Sequence, residues 1–173
     1  MTAVANATFT AAQFNLYVRD NLNETFPAKT TGAGQIAVST GANSIAARTV
    51  SSNTVTTSET TASGSYTDLA TVGPQVTVTT GTAALVAISS SIANNADSTA
   101  SFVSYAVTGA TTAAADDSWG LELDGVAANN TNRFGVFHRH VGLTAGSNTF
   151  TMKYKAGSNT STFSNRRLLV IPL

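Results

Sequence analysis

The sequence contains no cysteine, and only three prolines, two histidines and one tryptophan among 173 residues. Without cysteine there is neither a disulfide nor a thiolate metal site, which fits synthesis in a reducing cytoplasm. Charge is scarce as well: charged residues make up 10%, against roughly 25% in an average globular chain. Nine basic and nine acidic residues cancel. No basic excess is present to neutralise a phosphate backbone, so nucleic-acid binding is not expected. No apolar run approaches the ~20 residues of a membrane span, so membrane insertion is not expected. The start MTAVANATFT lacks a basic segment and an apolar core, so no secretory leader is expected. No Walker motif and no G-x-S-x-G elbow occurs.

What is present is apolar content of 42%, enough for a packed core. Thr, Ser, Ala and Asn occupy positions where charge would ordinarily sit. Such a surface is polar but nearly neutral, with little repulsion to oppose association. A subunit that packs against copies or neighbours is expected.

One stretch has helical grammar: FTAAQFNLYVRDNLNETFP, from Phe9 to Pro27. Thr10 and Gln13 spell a capping box, and Phe9 with Phe14 has the spacing of a hydrophobic staple. Phe14, Tyr17, Val18 and Leu22 fall on one helical face. Pro27 lacks an N–H and restricts Phe26, so the helix is predicted to end there. An amphipathic helix this short needs a surface to bury its stripe. Residues 1–27 therefore read as a docking helix, with Phe9, Phe14, Tyr17, Val18 and Leu22 as its contact residues.

Residues 28–65 read as an extended arm with short β pieces at Ile36–Val38 and Ile45–Ala47, punctuated by Gly and Asn. Residues 66–173 read as an antiparallel β-domain. Predicted strands cover Gln75–Thr79, Ala83–Ile88, Phe102–Val107, Trp119–Leu123, Phe134–Val141, Asn148–Lys155 and Arg167–Ile171. Weaker candidates lie at Thr54–Thr57 and Tyr66–Leu69. Short strands at this spacing mark a sandwich or barrel, and no helical period separates them. Asp124-Gly125 carries a hairpin signal.

Chemistry-bearing groups are few. His138 and His140 form His-x-His on a strand and so share a face. Two imidazoles can begin a metal site, but no third ligand has fitting spacing, and no metal is expected. Asp116-Asp117 lack the alternation and terminal Glu of a calcium loop. Trp119 suits a β-core or a stacked sugar ring. The acids available for glycoside hydrolysis show no pairing. Neither catalytic residues nor a cofactor is expected.

Two segments carry a family resemblance. FNLYVRDNLNETFPAK followed by TTGAGQIAVSTGANSIAARTV resembles the N-terminal region of small virion proteins of tailed bacteriophages, especially of actinobacterial hosts. The matching positions are Phe14 or Tyr17, then Val18, Arg19, Asp20, Asn21 and Leu22, then Thr40 to Asn43. The C-terminal part, from SYTDLATVG to RRLLVIPL, is similar to the jelly-roll heads of such proteins, which resemble trimeric tumour-necrosis-factor-like knobs. The resemblance implies a mainly β chain: a jelly-roll-like antiparallel sandwich with a short N-terminal α-helix and an extended arm. It implies a non-enzymatic, trimeric virion protein made in the host bacterial cytoplasm. Its expected partners are its own copies, tail or capsid proteins, and a host-surface glycan. A tail fibre or tail-tip protein is the first expectation, a capsid decoration or head-fibre protein the second, a small depolymerase the third. Trp119, Asn129, Asn130 and Asn132 are the glycan-contact candidates.

Overall fold

The structure, a computed structural model, describes residues 8, 10–23, 25–42 and 44–173. The chain divides after Arg48 into two compact units.

In the first unit the cap forms as its spelling requires. The Gln13 N–H donates to Thr10 Oγ1 (3.2 Å), and the Thr10 N–H donates to Gln13 Oε1 (3.0 Å). Two orphan donors are thereby satisfied. Phe9, the outer half of the expected staple, lies outside the described residues. Helix α1 (Ala11–Phe14) runs into a π-helical turn, Asn15–Arg19, and on into α2 (Asp20–Asn23). Asn21 Nδ2 donates to the Tyr17 carbonyl beside that turn (2.9 Å). Pro27 does not end this helix, contrary to expectation. Described helical residues stop at Asn23, and a new turn, α3 (Phe26–Lys29), begins on the Thr25 carbonyl. Pro27 sits in its first turn, where a missing N–H costs no bond. Strands β1 (Gln35–Gly41) and β2 (Ser44–Thr49) then make a two-stranded sheet. They coincide with the two apolar dips read in the arm.

The second unit is an antiparallel jelly-roll sandwich. Its strands are β3 (Ser51–Val55), β4 (Glu59–Thr61), β5 (Gln75–Thr80), β6 (Ala83–Asn94), β7 (Ser101–Gly109), β8 (Leu121–Leu123), β9 (Asn132–Val141), β10 (Gly146–Ala156) and β11 (Ser161–Pro172). One sheet has the order β3-β11-β6-β9, with β4 also on β11; the other has the order β5-β10-β7-β8. The chain changes sheet at nearly every connection. Pairing within the sandwich therefore begins at Ser51, inside the span read as arm, because β3 and β4 hydrogen-bond to β11. Of the candidate at Tyr66–Leu69 only a single bridge forms, Thr67 to Tyr154.

Strict alternation builds the core. β5 buries Val76 and Val78, β7 Val103, Tyr105 and Val107, and β10 Phe150, Met152 and Tyr154; these meet Val86, Ile88, Phe163, Leu168 and Val170 of the facing sheet. Strand β6 runs past Ile88 through Ser89–Ser91 to Asn94. Buried polar groups there are satisfied: Asn94 Nδ2 donates to Ser101 Oγ and Ser161 Oγ, and these two hydroxyls lie 2.7 Å apart. A bonded polar group avoids the cost of an orphan. Asp124-Gly125 does not close a hairpin. Strand β8 pairs β7, whereas β9 pairs β6 in the other sheet. Leu123 and Val126 pack on the core from either side of the turn, so the chain crosses between sheets there.

Candidate functional site

The helix of the first unit leaves much of its apolar surface exposed. Leu16 is 59% and Leu22 61% exposed; Phe14 and Tyr17 are also exposed, and Val18 is half-buried. Leu16 was absent from the predicted stripe. The π-helical turn interrupts the 3.6-residue period on which that stripe was read, so spacing alone misplaces residues beyond Phe14.

Inside the sandwich, His138 and His140 do share a face. Trp119 stacks on His138 at 6.0 Å and meets His140 edge-on at 4.5 Å, with Tyr105 at 5.6 Å. His140 is buried, and its Nδ1 lies 3.0 Å from Tyr105 Oη. Burial above all, with His138 adding to it, lowers the His140 pKa, so the neutral ring is favoured. Burial raises the Tyr105 phenol. Among the described residues no group of three or more His, Asp or Glu side chains is placed to hold a metal ion. Trp119 packs against the core rather than standing clear of it.

Trp119 reaches that position from a 3₁₀ turn, Asp117–Trp119, capped by Asp116, which accepts from the Ser118 N–H at 2.8 Å. Asp117 accepts from Lys155 Nζ at 2.7 Å and from Tyr66 Oη at 2.8 Å. Lys155 first and Tyr66 second hold the Asp117 carboxyl below its usual range. Both acids of the Asp-Asp pair thus have local structural partners. Asn129 and Asn130 sit exposed in the turn before β9, where Asn129 takes a left-handed backbone and its N–H donates to the Asn94 carbonyl. Asn132 opens β9, half-buried. Asn132 and His138 stand six residues apart on one strand, on the order of 20 Å. Trp119, which packs at His138, is therefore not brought together with Asn129–Asn132.

A third feature was missed from sequence. The outward face of the β3-β11-β6-β9 sheet carries Phe137 (72% exposed) and Val141 (57% exposed) beside half-buried Leu85, Ala87, Leu169 and Ile171. Pairing lines them up in rows: Ile171–Leu85–Arg139, then Ser52–Leu169–Ala87–Phe137, then Thr54–Arg167–Ser89–Gly135. The last two rows line a groove of about 520 Å³. Gly135 keeps its floor open; a Cβ there would press to 3.2 Å on the Ser89 Cβ. The signal was present in FGVFHRHV. Once the histidines point inward, Phe137 and Val141 must point out.

No protein-family model matches the sequence, and no curated protein matches it. Among solved structures, the fold is similar to that of a protein of infectious bursal disease virus strain Gx, with 13% identity over 78% of this chain and a TM-score of 0.49. The chain spans 36% of that viral chain. It is also similar to the Eiger TNF of S. frugiperda, with 10% identity over 73% of this chain and 92% of that one, and a TM-score of 0.47. An arabinose-bound GH51 arabinofuranosidase matches 85% of this chain and 24% of its own length at 14% identity, with a TM-score of 0.39. At such identities and scores these likenesses speak neither to activity nor to partners.

Proposed function

We propose that the chain is a non-enzymatic structural protein of a tailed-bacteriophage virion. Its N-terminal helix docks to the particle, and its sandwich projects as the head of a homotrimeric tail fibre or tail-tip protein. The observation that carries this reading is a helix with a complete N-terminal capping box whose Leu16 and Leu22 stand more than half exposed. So short a helix gains most of its stability from packing its apolar face, and a binding surface supplies that packing. The sequence resemblance of residues 14–43 to virion proteins names the surface. In this reading exposed Asn129 and Asn130 are the host-glycan contacts, with Asn132 behind them and Trp119 serving the core.

The test is incorporation into particles. A tagged full-length chain should co-purify with virions, and a chain beginning at residue 28 should stay folded yet be lost from them. Equal incorporation of both would overturn the docking role. Label at the tail tip supports a fibre; label over the capsid makes the chain a decoration or head-fibre protein instead. Release of reducing ends from host polysaccharide would replace the structural reading with a depolymerase.

A further inference from the structure

The two sheets of the sandwich meet along two seams, and different chemistry closes each. Strands β3, β4 and β5 border one seam, β8 and β9 the other. Across the first, Asn53 Nδ2 donates to the Gln75 carbonyl at 3.0 Å, and neither group titrates near neutral pH. The second seam has no strand pairing among the described residues: β8 bonds to β7 and β9 to β6. Rings fill it instead. Trp119 stacks on His138 and meets His140 edge-on, and the two imidazoles stand 5.9 Å apart. These are the only two histidines of the chain. Little around them accommodates charge. Tyr105 of β7, Phe150 of β10 and Trp119 face His140, and of these only Tyr105 titrates. Strand β6 sets Ala84 and Val86 beside the two histidines. Arg139 on β9 has the opposite parity to them, and Glu122 on β8 the opposite parity to inward Leu121 and Leu123. Asp116 and Asp117 lie on the turn that carries Trp119, but they are committed elsewhere. Ser118 holds Asp116, and Lys155 with Tyr66 holds Asp117, below the usual carboxylate range. Both therefore stay ionised where histidine titrates.

We infer that the β8–β9 seam is an acid-operated latch: proton uptake by His138 and His140 releases Trp119 and β8 while the other strands stay paired. In the closed state Tyr105 Oη donates to His140 Nδ1, and the ring proton sits on Nε2. A proton added at Nδ1 sets donor against donor. The hydroxyl must then turn to accept, which leaves its own hydrogen buried without an acceptor. Two imidazolium rings on one face also repel each other, with no carboxylate between them. The opening is local because the parts released are the most weakly held. Strand β8 makes three residue pairs on one side only, and the turn before it has no buried residue. Strands β6, β10 and β11 are 12, 11 and 12 residues long and are paired on both sides. Segments with the fewest buried contacts open first. The latch belongs to the second unit and holds whether or not the chain enters a virion.

The single tryptophan of the chain reports the latch directly. The full-length protein is titrated from about pH 7.5 to about pH 5, with tryptophan fluorescence and far-UV circular dichroism read in parallel. Trp119 emission moves to longer wavelength with a midpoint below about 6.5, and the indole opens to acrylamide. The far-UV signal holds, and neutralisation reverses the change. His138→Gln with His140→Gln removes the transition, since no other side chain titrates in that range. Hydrogen exchange on the parent decides the matter even if that variant fails to fold. At about pH 5.5, amide protection falls at residues 121–123 and holds in β6, β10 and β11. Emission unchanged across the range overturns the inference, as does a transition that survives loss of both histidines. Protection lost from all strands together overturns it too, because that is global unfolding and not a latch.

Discussion

The two outward faces of the sandwich follow the same alternation and put it to opposite use. On the β5-β10-β7-β8 sheet the outward side chains satisfy one another. Thr77 and Thr149 hydroxyls meet at 2.8 Å, Gln75 Nε2 donates to Thr151 Oγ1 at 2.9 Å, and Lys153 and Lys155 hold Asp68 and Asp117. Cross-strand pairs of this kind complete a sheet surface in water. On the β3-β11-β6-β9 sheet the outward residues are Phe137, Val141, Leu169 and three arginines outside any ion pair. A face whose groups are already matched needs no partner. A face of apolar side chains and unmatched cations has the make-up of an interaction surface.

The sharpest break in this comparison comes from two neighbours on β11. Arg166 is completely buried: it donates to Glu59 Oε2 at 2.8 Å and to the carbonyls of Thr71 and Gly73, and it lies over the Tyr154 ring. A register shift at Ser164/Arg167 turns it inward while Arg167 stays outside. Arg166→Met should cost about 3 kcal/mol, since it strands a partner of a buried pair. Arg167→Met should change stability by no more than about 0.5 kcal/mol. Urea melts of both variants give the comparison directly.

Acid should weaken the body in two stages. Burial, helped by His138, lowers His140 from its ordinary 6.5. The unfolded chain then takes up that proton first, so stability starts to fall once the pH drops below about 6.5. Glu59 is held below 4.5 chiefly by the Thr71 hydroxyl, against burial, with the Thr71 N–H and Arg166 assisting. Its contribution is whole above that value and is lost as pH falls through the lowered one. Melting temperatures should therefore decline in both ranges, and His140→Gln should flatten the upper decline only. A melting temperature that rises from pH 7 to about 5.5 would contradict the assignment of a buried neutral His140.

Smaller effects test the first unit and the faces. Thr10→Ala removes the hydroxyl that accepts from the Gln13 N–H, leaves the backbone N–H that donates to Gln13 Oε1, and should cost the helix about 1 kcal/mol. Faster amide exchange at residues 11–14, with β5–β11 unchanged, is the expected readout. Thr149→Val on the satisfied face should leave stability within about 0.5 kcal/mol and association untouched. Phe137→Ser on the other face should be equally mild in stability yet weaken the proposed self-association. Added chelator should shift the melting point of neither the parent nor His138→Gln with His140→Gln; a fall in the parent alone would mean that the histidine pair holds a metal.

What the sequence made legible was local. Thr10 with Gln13 announced the cap, and the alternation of QVTVT and NTFTMKYK placed β5 and β10 almost to the residue. What escaped depended on distant partners. Ser89–Ser91 read as the end of a strand because polar residues normally leave the core. The strand runs on because distant partners serve its buried polar groups: Ser90 Oγ donates to the Ser164 carbonyl, and Asn94 Nδ2 to the Ser101 and Ser161 hydroxyls and the Ser158 carbonyl. Asp124-Gly125 read as a hairpin because the pair favours one, but sheet membership of β9 is set by its pairing with β6. The groove face escaped for the same reason: parity along β9 is legible, whereas the rows across β3, β11, β6 and β9 exist only once the register is known. The glycan candidates were chosen by residue type, and Trp119 went to the core because Tyr105, His138 and His140 meet there.

The docking role of the helix is tested most directly by counting chains per purified virion for the full-length protein and for the chain that starts at residue 28. Retention of the former and loss of the latter, with both heads melting alike, is the predicted result. A truncated chain carried by particles in undiminished number would contradict it.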